Sequence, residues 1–183
     1  MGKPQTGKFT IVTAPSALTV LPLTRAAFAP FGDVIETEGA TALTINDGRA
    51  QRFHDLAAID ALREGGRPVL SIFRTEPVAL PLTVSSLERH LLGSQAFMPL
   101  HSQPFLVVVA PADADGRPQR PMAFITDGRQ GINFRRGTWH HSLLALHGCC
   151  EFLAIDRDGG SEDCEIATLE AGLVVDLTVK SAT

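Results

Sequence analysis

From Val69 to Leu169 the chain is cut into short apolar, β-branched and aromatic runs, each closed by Pro, Gly, Asp or another turn-forming residue. The runs are Val69 to Phe73, Leu82 to His90, Gln95 to Met98, Phe105 to Ala110, Met122 to Ile125, Gly131 to Phe134, Ser142 to Leu146, Glu151 to Ile155 and Cys164 to Leu169. Their lengths suit strands, and Asp113-Ala114-Asp115-Gly116 and Asp127-Gly128 supply turn chemistry between them. This rhythm predicts a mainly β fold, a barrel or a two-sheet sandwich. Ahead of it, Thr24 caps a short helix over Arg25 to Ala29 that Pro30 and Gly32 stop. A second short helix is expected from Leu56 to Arg63, with Leu56, Ile59 and Leu62 on one side. Leu173 to Val179 is apolar enough for a last strand, which covers a sheet edge or pairs across a dimer. No linker or repeat interrupts the sequence, so residues 1–183 read as one domain with poorly ordered tails at 1–8 and 180–183.

Charge and cysteine content remove several classes of function. The 183 residues carry a formal net charge of −4, with 20% charged residues and no basic field for nucleic acid or an anionic membrane. The N-terminus lacks an apolar signal core and the apolar runs are strand-sized, so a cytoplasmic protein without a membrane span is expected. Cys149, Cys150 and Cys164 lack paired spacing and read as small, partly buried thiols rather than a disulfide framework or a zinc site. Neither a glycine-rich phosphate loop nor Gly-x-Ser-x-Gly is present.

The chemistry concentrates in Glu88, His90, Gln95 and, fifty positions after His90, His140. Residues two apart on a strand share a face, so Glu88 and His90 enter one cavity. Gly93-Ser94 then reverses the chain, and Gln95 and Phe97 on the returning strand face the same space. His140 and His141 alternate, so one of them points inward; His54, His101 and His147 read as structural or surface residues. The spacing resembles the first motif of the cupins, with Glu88 where a first histidine is common and Gln95 where a glutamate is usual. That set can hold a divalent metal through Glu88, His90, Gln95 and His140, although the Gln95 amide is a weaker donor than a carboxylate. Spacing does not separate nickel, manganese, zinc and iron.

Longer segments carry a more specific resemblance. Glu88-Arg89-His90-Leu91-Leu92-Gly93-Ser94-Gln95-Ala96-Phe97-Met98-Pro99-Leu100, Pro104 to Pro111, and Gly131-Ile132-Asn133-Phe134-Arg135-Arg136-Gly137-Thr138-Trp139-His140-His141 resemble the ureidoglycolate lyase family, formerly ureidoglycolate hydrolase. Phe28 to Glu36, Asn46-Asp47-Gly48, Arg52 to Asp55 and Phe73-Arg74 follow in the same order as in that family, from about residue 22 to about residue 158. The resemblance implies a cupin-like β-barrel, or double-stranded β-helix, that releases urea and glyoxylate from ureidoglycolate late in purine degradation by way of allantoin. The substrate implied is a small molecule; the exposed sheet edges of such a barrel and the apolar tail Leu173 to Leu177 predict a symmetric homodimer.

Ureidoglycolate carries a hydroxyl, a carboxylate and a ureido nitrogen on one carbon, so its cleavage needs a base, an acid and a carboxylate clamp. Glu88, His90 and His140 are the catalytic candidates, with Glu88 and His140 favoured for proton transfer. With a metal bound, these residues would become ligands. Arg74, at the end of its strand, is the first candidate for the carboxylate, followed by Arg52 and Asn46 from an N-terminal loop and one of Arg135 and Arg136. Gln95 is the remaining substrate contact, and Trp139 is either a packing residue or a pocket wall. Two alternatives stay open, a non-catalytic binding or regulatory cupin and another metal-dependent cupin enzyme acting on a small oxoacid.

Overall fold

Phe105, Val107 and Val109 point to one side of their strand and Leu106, Val108 and Ala110 to the other, yet all six are buried. A strand apolar on both faces must be covered on both, and the whole fold is arranged around that requirement. In the computed structural model, which describes residues 17–160 and 162–177, the strands in chain order are β1 (Ala17–Leu18), β2 (Val20–Pro22), β3 (Gly32–Ile35), β4 (Ala42–Ile45), β5 (Ala50–Phe53), β6 (Arg67–Thr75), β7 (Leu82–His90), β8 (Gln95–Pro99), β9 (Phe105–Ala110), β10 (Met122–Ile125), β11 (Gly131–Phe134), β12 (Trp139–His140), β13 (Leu144–Ala145), β14 (Cys150–Asp158) and β15 (Cys164–Val175). One larger sheet runs β1-β15-β7-β12-β9-β10-β2, with β13 also on β9. A smaller sheet runs β3-β11-β8-β14-β6, and β4 with β5 forms a separate hairpin.

The two large sheets face each other across an aromatic core. Phe105, Val107, Val109 and Phe124 from the larger sheet meet Phe97, Ile132, Phe134 and Phe152 from the smaller one. Burying one such side chain contributes roughly 1.5–3 kcal/mol, and edge contacts such as Phe105 on Phe152, 4.9 Å between centroids at 79°, add orientation. A second cluster, with Val84, Leu87, Leu106, Val108, Trp139 and Val175, covers the opposite face of the larger sheet. The mainly β, barrel-like architecture read from the sequence is the one adopted.

The first helix forms as expected. α1 (Arg25–Phe28) is capped by Thr24, whose hydroxyl accepts from Ala27 N at 3.2 Å, and Phe28 is fully buried.

Leu56 to Arg63 is not a helix; it is an irregular strap ending in a 3-10 turn at Arg63–Gly65. Its backbone is bonded sideways: Ala58 N to Asp33 Oδ2, Ala58 O from Asn133 Nδ2, and Asp60 N to Ser94 Oγ with Ser94 N returning to Asp60 O. Those bonds outcompete a marginal short helix, and of its supposed apolar side Ile59 and Leu62 stay outside, Leu62 at 75% exposure.

The C-terminal runs are also corrected. Cys164 to Val175 is one strand with a register shift between Thr168 and Leu173, not two strands. Leu173 and Val175 are buried within this chain, and β1 lies alongside Val174 and Val175, so they are not free to pair across a dimer. The expected tails at residues 1–8 and 180–183 lie outside the described residues, as do Thr178 and Val179. Cys149 and Cys164 are exposed and Cys150 is buried, all three as free thiols. Among the described residues no helix is long and apolar enough to cross a membrane.

Candidate active site

The turn before β12 delivers the central histidine. Gly137 takes φ +82°, a left-handed value that glycine adopts without strain, while its N–H donates to His90 O at 2.7 Å. The chain then enters as β12 between β7 and β9, with His140 opposite Glu88 on one side and Val109 on the other. Cross-strand partners share a face, so His140, Glu88 and, two residues on, His90 converge on one cavity. Opposite them, Gln95 and Phe97 enter from β8. The Gly93-Ser94 step thus does not make a hairpin; β8 pairs with β11 and β14, and the chain crosses from one sheet to the other. The sequence-derived convergence of Gln95 and Phe97 on the cavity nevertheless holds.

His140 is 2% exposed and tightly defined. Its Nδ1 lies 2.9 Å from Thr138 O, and a carbonyl can only accept, so Nδ1 carries the proton and Nε2 presents a lone pair to the cavity. The ring stacks flat on Phe134, 4.1 Å between centroids at 14°, and lies 5.5 Å from the His90 ring. Nε2 stands 3.6 Å from Glu88 Oε1. Burial lowers the pKa to about 3, outweighing the Thr138 hydrogen bond, with the nearby His90 and His141 rings adding to the lowering. His140 is therefore neutral at physiological pH.

Glu88, His90 and His140 offer ligand atoms all within 4.8 Å of one another. His90 Nε2 and His140 Nε2 are buried without a hydrogen-bond partner among the described residues. Two imidazoles and a carboxylate suit a borderline divalent ion, and 3.6 Å is a separation that two ligands about 2.1 Å from one ion can take. The hydrogen bond at Nδ1 of His140 is the kind of outer support metal-bound histidines have. The three residues can thus hold a divalent metal, whose identity they leave open.

Other expected site residues are placed differently. Phe73 and Thr75 line the pocket, so Arg74 between them faces away and gives both its Nε and Nη2 to Glu151 Oε1, at 2.9 and 2.6 Å. Arg74 is thus engaged outside the pocket and not placed to clamp a carboxylate within it. Asn46 and Arg52 sit on the β4–β5 hairpin, outside this pocket's lining, and Arg52 Nη2 meets His54 Nδ1 at 2.9 Å. Arg135 donates to Ala29 O and Arg136 binds Asp60, both away from the cavity. Trp139 is a packing residue: it is 4% exposed, donates to Gly116 O at 2.9 Å, and carries Arg89 over its ring at 4.5 Å. Gln95 lines the pocket, yet its side chain is hydrogen-bonded to Asp156.

Asp156 is the residue that sequence reasoning missed. Burial raises its pKa, opposed by the Gln95 hydrogen bond and the charge of His90. The signal was the alternation of Phe152, Ala154 and Asp156 on the inner face of β14; a strand ended at Ile155 hides it.

The pocket between the sheets is lined by Phe73, Thr75, Glu88, Gln95, Phe97 and His140, with His141, Ser142 and Leu143 at one side. An adjoining hollow shares Glu88 and His140 and adds Ser86, Leu87 and Ile166. Apolar walls around a few convergent polar groups are the make-up that small-molecule sites commonly have.

Comparison with known proteins places this arrangement in a family. The family model described as ureidoglycolate lyase matches residues 15–176. A protein of Burkholderia mallei (strain NCTC 10229) named ureidoglycolate lyase is 53% identical over 157 residues, covering 85% of this chain and 91% of the relative. A protein of that name from Rhizobium etli (strain CIAT 652) is 47% identical over 161 residues, covering 88% and 96%. Among solved structures, a 3,4-ketoisomerase from Helicobacter canadensis matches with a TM-score of 0.36 at 13% identity, over 70% of this chain and 84% of that one. By the family match and these identities, the chain belongs to the ureidoglycolate lyase family.

Proposed function

We propose that this protein is an enzyme that cleaves ureidoglycolate to glyoxylate and urea, and that the pocket bearing Glu88, His90 and His140 is where it does so. The family assignment carries the reaction and favours it over a non-catalytic cupin. The observation that supports the location is the convergence of a half-buried carboxylate and a buried, neutral imidazole, 3.6 Å apart, in a pocket with apolar walls. The metabolic setting proposed is purine degradation by way of allantoin, in the cytoplasm.

The chemistry asked of the site is small. Loss of the hydroxyl proton forms the aldehyde C=O; the C–N bond breaks, its electron pair stays on nitrogen, and a proton arriving there releases urea. Glu88 and the Nε2 lone pair of His140 are the acceptors aimed into the pocket, and Thr138 fixes the imidazole in the accepting tautomer. Because burial holds His140 far below the usual histidine range, its protonated form is a strong acid that passes the proton on to the ureido nitrogen. His90 flanks the pair, and Gln95, steadied by Asp156, is a polar contact for the substrate. Glu88, His90 and His140 would hold a divalent metal, which when bound would polarise the hydroxyl and lower its pKa.

Quantifying products from purified protein tests the reading. Glyoxylate and urea in equal amounts are expected; ammonia as the main nitrogen product would overturn the assignment.

A further inference from the structure

We propose that the site is completed by a second copy of the chain, whose β4–β5 hairpin seats over the pocket mouth and brings Arg52 to the substrate carboxylate. The inference rests on the lyase reading, because its premise is an anionic substrate. Among the described residues, the pocket and its adjoining hollow are lined by Glu88 and by no arginine. An anion entering past these residues therefore meets the Glu88 carboxylate and no guanidinium. A divalent ion held by Glu88, His90 and His140 would offset Glu88 but would leave the described residues of the mouth without a guanidinium.

The hairpin supplies what the mouth lacks. Every residue of β4 is exposed, Leu43 at 47% and Ile45 at 39%. Register pairs Leu43 with Arg52 and Ile45 with Ala50, so Leu43, Ile45 and Arg52 share one face of the hairpin. That face is apolar with one guanidinium, and Arg52 meets no carboxylate among the described residues. The mouth is the complement: Phe73 is 39% exposed and Ile166 72% exposed, beside an anionic and imidazole-lined interior. The tip is preformed, with Asn46, Asp47 and Gly48 all at positive φ, and a two-stranded hairpin showing an apolar face to water gains stability from a partner surface.

The pocket served is the partner's. The hairpin grows from β3, at the opposite edge of the smaller sheet from β6, and four strand spacings put that root about 19 Å from the β6 side of the mouth. The strap that follows is tied to Asn133 and Asp33. Asn133 lies between inward-facing Ile132 and Phe134, so the strap is held on the outer face. A two-fold pair in which each hairpin covers the other pocket satisfies both copies at once.

Two variants test this in one heterodimer, made by co-expressing chains with different tags. Arg52→Ala should raise KM for ureidoglycolate at least tenfold with a smaller change in kcat, partly restored by Arg52→Lys. Glu88→Gln should lose at least 100-fold in kcat. A heterodimer of Arg52→Ala with Glu88→Gln contains one fully native site if the hairpin acts across copies, and, assayed well below the wild-type KM, about half of wild-type turnover per dimer is expected. Turnover no higher than the sum of the two variants would overturn the proposal. A readout without substrate stands beside it. Leu43→Cys treated with a short bismaleimide should give a covalent dimer through exposed Cys164, lost in Leu43→Cys with Cys164→Ser. Wild-type protein that gives neither product would sink the lyase reading alone, while cross-linking would still report whether the hairpin seats on a second copy; its absence would count against the seating.

Discussion

His140 is fixed by contacts of three kinds: a carbonyl on Nδ1, a phenyl ring against its face and a carboxylate beyond Nε2. The consequence is a linkage to pH. In the unfolded chain histidine titrates near 6.5, while in the fold His140 titrates near 3, so below pH 6.5 the unfolded state binds the extra proton. Stability from this residue is complete above pH 6.5 and is lost as the pH falls toward 3, at up to about 1.4 kcal/mol per pH unit. Urea titrations of metal-free protein at pH 7 and pH 4.5 should show this loss, and His140→Gln should flatten it. Parallel curves for the two proteins would rule His140 out as the cause. Arg74→Ala should leave KM within twofold, because its guanidinium is engaged with Glu151 outside the pocket; a tenfold rise in KM would return Arg74 to the site. Glu88, His90 and His140 were legible from two-residue spacing and one distant motif. Asp156 was not, since its role depends on which strand faces β8, a long-range pairing that local pattern does not encode.

At the scale of elements, β7, β9, β10 and β11 coincide to the residue with the runs read from the sequence. The strap at Leu56 to Arg63 and the β4–β5 hairpin were not legible there, because tertiary hydrogen bonds decide the first and the second exposes most of its residues. The join of β3 to β11 gives a sharp test. A Cβ built on Gly32 would lie 1.8 Å from Asn133 O, at a backbone φ of +154°, so the two strands meet only if that position has no side chain. Gly32→Ala should cost at least about 2 kcal/mol in chemical denaturation. A loss below half that would mean that β3 shifts freely on β11.

The molecule presents a pocket between two sheets, with the buried His140 imidazole and the half-exposed Glu88 carboxylate on its wall and no arginine among its described lining residues. A particle of two copies is expected, and light scattering at micromolar concentration should give twice the 19.6 kDa chain mass. A monomer would remove both the dimer and the shared site. The dimer was suggested by the sequence, but through the wrong segment: Leu173 and Val175 are consumed inside the chain, and the exposed hairpin is the better candidate. The measurement that bears most directly on the function is steady-state turnover of ureidoglycolate by His140→Gln and Glu88→Gln beside wild type, with folding checked by near-ultraviolet circular dichroism. Both variants should be folded and slower by at least 100-fold in kcat, a loss of about 2.7 kcal/mol or more in transition-state stabilisation; folded variants with wild-type turnover would place the reaction elsewhere in the protein.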